Sequence, residues 1–187
     1  MLQNPLQFSH TLLEQTVKNG DTVIDATVGN GHDTLKLASL VQSEGKVYGY
    51  DIQEQAIESA KLKLEKAKLT KPIELMLKGH EHISDLPLAD SSVSAVVFNL
   101  GYLPSGDKSI ITTPETTVSA IKSSLPLLKK GGLILLMIYH GHEGGKEEKD
   151  AVSDCVSQLP QKEFNVLRYG FINQKNTPPF LIAIEKK

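Results

Sequence analysis

The chain has 187 residues, 40% of them hydrophobic and 22% charged, with a formal net charge of −2. That make-up fits one globular domain spanning 1–187, and it excludes a protein that grips nucleic acid by bulk positive charge. A single cysteine, Cys155, excludes an internal disulfide and a cysteine-rich metal site. No apolar run approaches the roughly 18 residues of a membrane span, and the N-terminus lacks a signal pattern, so a cytoplasmic chain with no membrane partner is expected.

In chain order, residues 5–18 read as a helix with Leu6, Leu12, Leu13 and Val17 on its buried side, ended by Asn19-Gly20-Asp21. A strand over Thr22–Ala26 enters a glycine turn, and a helix follows over about His32–Val41. After a turn at Ser43–Gly45 comes a second strand, Lys46–Asp51. Between Gln53 and Leu69, Ile57, Ala60, Leu64 and Ala67 recur at spacings of three and four, which predicts an amphipathic helix. Its other face carries Lys61, Lys63, Lys66 and Lys68. Lys71-Pro72 breaks that helix, and Ile73–Leu77 reads as a third strand. Cys155 falls on a later helix, where a structural thiol is the simplest role.

Val93–Phe98 is an apolar run of the kind buried on both faces, hence a fourth strand. Asn99–Thr113 reads as a loop, Pro114 opens a helix to about Leu128 that Pro126 bends or ends early, and Lys129–Gly132 reads as a turn. Leu133–Ile138 is a fifth strand and 146–158 a helix. Glu163–Tyr169 and Phe180–Glu185 are two last strands joined by a loop at 173–179. Repeated strand–helix alternation predicts a mostly parallel, seven-stranded α/β sheet with helices on both faces. The closing pair, with no helix between them, predicts an antiparallel strand at the edge.

Ligands of such sheets bind beyond the carboxyl ends of the strands. The residues expected there are Asp25 and Thr27 after the first strand, Asp51 after the second, His80 and Glu81 after the third, and Asn99 after the fourth. Gly29 and Gly31 supply a turn that backbone N–H groups can use to approach a ligand, and Asp51, 20 positions beyond Gly31, suits ribose hydroxyls. A dinucleotide fingerprint needs a third glycine where this chain has Thr34. Asp25 and Asp33 would also oppose a pyrophosphate, whereas they suit a cationic methionine moiety. The turn therefore favours S-adenosylmethionine over a nicotinamide dinucleotide.

Residues 22–101 resemble the Class I S-adenosylmethionine-dependent methyltransferases, a Rossmann-like family. Within it the chain is similar to a bacterial group labelled rRNA methylases, on four segments. These are Asp25-Ala-Thr-Val-Gly-Asn-Gly-His-Asp-Thr34, Asn99-Leu-Gly-Tyr-Leu-Pro104, Tyr139-His-Gly-His-Glu-Gly144 and Asn173-Gln-Lys-Asn-Thr-Pro-Pro179. The resemblance implies a tRNA methyltransferase that N-methylates the 5-aminomethyl group of a wobble 2-thiouridine, with the anticodon stem-loop as partner. It also implies that Thr27, Gly29, Asn30, Gly31 and Asp33 surround the methionine end of the donor. Asp51 would hold the ribose with Gln53 close by, His80 and Glu81 would lie near the adenine, and Asn99 near the methyl.

Asn99-Leu-Gly-Tyr102 resembles the N-P-P-Y loop of amino methyltransferases, with Leu100 and Gly101 replacing its prolines. Transfer to an amine needs a neutral nitrogen, so one of His140 and His142 is expected as proton acceptor or substrate contact, or as a structural histidine. His140, Asn99 and Tyr102 are the catalytic candidates. Two histidines without a third ligand give no metal site. Tyr139, His142, Asn173 and Asn176 are candidate substrate contacts. The lysine face suggests a homodimer pooling two such faces. A small-molecule N-methyltransferase, an rRNA methyltransferase and a non-catalytic donor-binding module remain the alternatives.

Overall fold

The structure is a computed structural model that describes residues 1–71, 73–103 and 110–187. Pro72 and Pro104, read above as a helix breaker and a motif residue, lie outside the described residues. Seven strands form one sheet: β1 (Thr22–Asp25), β2 (Lys46–Asp51), β3 (Ile73–Leu77), β4 (Val93–Leu100), β5 (Leu128–Ile138), β6 (Phe164–Tyr169) and β7 (Phe180–Lys186), in the order β3-β2-β1-β4-β5-β7-β6. Pairing is parallel from β3 through β5, and β7 is antiparallel to both β5 and β6. The antiparallel pairing falls at the predicted edge; the reversed strand is β7, one in from β6.

Five helices, α1 (Pro5–Thr16), α2 (His32–Val41), α3 (Glu54–Lys66), α4 (Pro114–Leu127) and α5 (Gly145–Ser157), cover the two faces. Leu13, Leu37, Ala38, Val41 and Leu64 from the first three pack with Val23, Val47, Ala95, Val97, Leu135 and Met137. Ala120, Ile121, Val152 and Val156 from α4 and α5 pack with Ile24, Val96, Phe98, Ile134 and Leu136 on the opposite face. Alternate strand residues thus feed alternate cores, the two-residue period of a sheet.

Local chemistry explains the helix starts. Asn4 accepts the Gln7 N–H while the Gln7 side chain returns to the Asn4 N–H, a capping box with Pro5 as first helical residue. Thr113 caps α4 ahead of Pro114. Pro126 sits in the last turn of that helix, which ends one residue later.

Two expectations are corrected. Lys129–Gly132 is not a turn ahead of β5 but an extra loop within it. The register passes from Val93↔Leu128 directly to Ala95↔Leu133, and Lys129 Nζ bonds both oxygens of Asp21 at 2.8 and 3.0 Å. Ala67 is exposed at the C-terminus of α3, and Ala56 takes the buried position instead. No helix among the described residues is long and apolar enough to cross a membrane.

Candidate active site

The carboxyl ends of β1, β2 and β4 open into two adjoining clefts. The first, with a cavity volume of about 220 Å³, lies between Asp51, Ile52 and Gln53 on one side and His80, Glu81 and Leu103 on the other. The second, about 850 Å³, is bounded by Leu6 and His10 of α1, Asn30, His32 and Asp33, and Tyr102 and Tyr139. Thr27, Gly29, Asn99 and Tyr102 line both. The second volume lies within the roughly 300–1,000 Å³ of small-molecule sites.

The floor is the β1–α2 turn. Gly29 has φ +50°, a left-handed conformation that an L side chain rarely adopts. Its N–H donates to Asp51 Oδ2 at 2.8 Å, and the Gln53 N–H donates to Oδ1 at 2.9 Å. A carboxylate has about four lone-pair sites, so Asp51 keeps acceptor capacity toward the first cleft. Thr27 Oγ1 accepts the Asn99 N–H at 2.6 Å, tying β1 to β4.

Asp33, nearly buried at the start of α2, shares its carboxylate. Oδ1 lies 2.7 Å from His10 Nε2, and Oδ2 accepts the Asn99 amide at 2.5 Å. Burial pushes its pKa up, but the His10 and Asn99 bonds outweigh that, and the net direction is down. Asp33 is thus held ionised. Its bond fixes the Asn99 amide with nitrogen toward the carboxylate and Oδ1 turned away as an acceptor.

Not every sequence candidate reaches a cleft. Asp25, expected beside the cofactor, is wholly enclosed and lines neither cleft. It accepts the Thr27 N–H at 3.2 Å and the Thr34 hydroxyl at 2.6 Å, and burial with the nearby Asp33 charge pushes its pKa up to about 7. Gly31 also lines neither; a Cβ there would stand 2.8 Å from Ala60 Cα, so its role is to let α2 meet α3.

His140 follows the parity of Leu136 and Ile138 and stacks edge-on against Phe180, away from both clefts. Tyr139 follows Met137 and Asn99 to the cleft side. Both His142 nitrogens face carbonyl oxygens, of Tyr139 and Glu143 at 2.8 Å each, and the ring stacks edge-on against Tyr102. His142 shapes the 139–145 loop rather than lining a cleft. Asn173 and Asn176 are exposed, on a loop whose Thr177 rests against Gly141.

Residues absent from the sequence reading form a buried network behind the first cleft. Glu148 of α5, 1% exposed, lies 2.6 Å from Thr117 Oγ1 and 2.7 Å from Thr112 Oγ1. Thr117 Oγ1 is 3.5 Å from His80 Nε2, and His80 Nδ1 donates to the Ala26 carbonyl at 3.1 Å. Burial pushes the Glu148 pKa up. Both threonine hydroxyls donate to the Glu148 carboxyl, one to each oxygen. Thr112 in turn accepts the Gly101 N–H at 2.9 Å, so the network joins His80 to the turn after Asn99. Among the described residues, no group of three or more His, Cys, Asp or Glu is placed to hold a metal ion.

A family model described as "Putative rRNA methylase" matches residues 47–185. The chain belongs to this rRNA methylase family. A Clostridium thermocellum structure of the same description superposes over all of both chains with a TM-score of 0.97 and 46% identity. A Streptococcus mutans structure in complex with SAH superposes over all of both chains with a TM-score of 0.91 and 43% identity. The chain is also similar to the chloroplastic tRNA (mnm(5)s(2)U34)-methyltransferase of Arabidopsis thaliana, 39% identical over 97% of this chain and 69% of that protein. The Class I methyltransferase assignment, mostly parallel sheet included, is therefore established for this protein.

Proposed function

We propose that this methyltransferase uses S-adenosylmethionine to N-methylate the 5-aminomethyl group of a wobble 2-thiouridine in tRNA, giving the 5-methylaminomethyl product. The observation that carries the reading is Asn99, where the two clefts meet, with its amide nitrogen held by Asp33 and its carbonyl free to accept an amine N–H. The tRNA wobble activity of the Arabidopsis relative supports the choice of nucleoside.

The residues present fit the donor. Asp51 retains lone pairs for ribose hydroxyls, the first cleft has apolar walls at Ile52 and Leu103 for adenine, and the ionised Asp33 gives the second cleft a charge suited to a cationic methionine end. Glu81 and Gln53 border the adenine–ribose side, and Thr27, Gly29 and Asn30 the methionine side. When bound, the donor supplies an electrophilic methyl on a sulfonium. The protein's contribution is alignment: Asn99 holds the nitrogen on the line of attack, and fixing that geometry is worth several orders of magnitude in rate. Tyr102 and Tyr139, each 39% exposed, flank Asn99 and offer ring faces to an extruded base.

The test is transfer of labelled methyl to tRNA from a strain lacking this gene, followed by nucleoside digestion. Label in the wobble uridine, lost with Asn99→Ala, is the expected result. Label in another nucleoside refutes the wobble assignment. A second reading, methylation of a small-molecule amine, is favoured by the net charge of −2; donor binding without any RNA labelling would select it.

A further inference from the structure

His140, a catalytic candidate from sequence, faces away from both clefts, and His142 shapes a loop beside them, but the structure offers another histidine. His10 comes from α1, which packs across β4, β5 and β7 and so carries this residue over the carboxyl end of the sheet. Its side chain is 33% exposed and lines the same cleft as Asn99, Tyr102 and Tyr139. Nε2 lies 2.7 Å from Asp33 Oδ1, while the other oxygen of that carboxylate holds Asn99. One carboxylate therefore orients both the amide that positions the amine and an imidazole beside it.

We propose that His10, held by Asp33, is the catalytic base that takes the proton from the substrate ammonium before methyl transfer. This rests on the amine-methylating reading above. An ionised carboxylate accepts only, so Nε2 carries the hydrogen that it donates to Asp33 and Nδ1 is left with a lone pair. Among the described residues Nδ1 makes no hydrogen bond. An alkyl ammonium of about the acidity of lysine, pKa about 10.4, is almost wholly protonated at neutral pH, so a base beside it changes the rate directly.

The step balances. His10 Nδ1 takes one proton from the R–CH2–NH3⁺ group, becoming imidazolium and leaving a neutral amine. The nitrogen lone pair forms the N–C bond to the methyl as the C–S electron pair passes to sulfur. The product leaves as a secondary ammonium, and His10 returns its proton to solvent. The charged and titratable groups facing His10 are Asp33 and His32 of α2, Glu14 of α1, which is paired to Lys36, and Tyr139 beyond β5.

The experiment is single-turnover methylation of a synthetic anticodon stem-loop carrying 5-aminomethyl-2-thiouridine, measured from pH 6 to 10. His10→Gln keeps an N–H for Asp33 but has no basic nitrogen. The expected rate loss is about 100-fold at pH 7, in line with general-base contributions, shrinking to a few-fold near pH 10 as the amine loses its proton unaided. His10→Ala opens a hole, and its rate at pH 7 rises with added imidazole. SAH affinity and the melting temperature check that both variants keep the fold. A rate loss constant across pH with no imidazole rescue gives His10 only a positioning role and overturns the proposal, as does an undiminished rate. A wild-type enzyme that leaves this RNA unmethylated at every pH instead refutes the reaction itself.

Discussion

Asp25→Asn tests whether the carboxyl buried beneath the β1–α2 turn carries a proton. The side chain is fully enclosed, and burial raises its pKa from 3.8 to about 7, with the charges of Asp33 and Asp51 adding to the rise. A carboxyl whose folded-state pKa is raised binds more protons folded than unfolded between those two values. The stability it contributes is complete at about pH 4 and lost as the pH climbs to about 7. A rise of roughly three pH units, at about 1.4 kcal/mol each, amounts to about 4 kcal/mol.

Asparagine has the same shape and no charge. Its carbonyl accepts the Thr27 N–H and its amide faces the Thr34 hydroxyl, which can turn to accept, so at low pH the variant stays within about 1 kcal/mol of wild type. Between pH 4 and 8 wild type then loses about 4 kcal/mol relative to the variant. This equals about 1.3–2 M in urea midpoint for a slope of about 2–3 kcal/mol/M. Urea unfolding at pH 4.5, 6 and 8 reads it directly. Midpoints that fall in parallel for the two proteins would refute a protonated Asp25.

Asp51→Ala removes the acceptor of the Gly29 and Gln53 N–H groups, and the affinity for SAH by calorimetry falls about 10- to 100-fold; unchanged affinity places the ribose elsewhere. Gly31→Ala puts a methyl 2.8 Å from the Ala60 backbone at φ +72°, and urea unfolding registers a loss of about 1–3 kcal/mol, whereas an unchanged midpoint means α2 and α3 can part without cost. Thr117→Val takes a hydroxyl from between His80 and Glu148, costing about 1–3 kcal/mol by thermal unfolding; no loss would mean that the buried carboxyl does not depend on this contact.

The element pattern was legible because strand and helix periods alternate cleanly, and β2, β3 and α2 fall where hydrophobic spacing put them. The first cleft was legible for the same reason: Asp51, His80 and Asn99 end or follow strands whose order is fixed by short crossovers. What sequence spacing could not carry was parity across strands. His140 and Tyr139 are adjacent, and only the Asn99↔Met137 register decides which of them turns toward the cleft. Nor does spacing connect residue 10 to residue 33. That contact exists because α1 crosses the end of the sheet, a tertiary choice with no local signature. Thr34 was read as a missing glycine, whereas its hydroxyl is the partner of a buried acid.

The site gathers three carboxylates at one sheet edge, which repel one another unless their environments differ. Asp25 has no solvent and no cation, so its neutral form is favoured and it serves as a hydrogen-bonded plug under the turn. Asp33 is nearly as buried but receives two side-chain donors, from His10 and Asn99, and these keep it charged. Asp51 is partly exposed and accepts two backbone N–H groups. Below about pH 7 the proton on Asp25 spares Asp33 a like charge; above it the repulsion is felt at the residue that orients Asn99 and His10. The buried acid thus supports the chemistry from below without touching it, and Asp25→Asn is expected to retain methyl transfer where Asp33→Asn loses it.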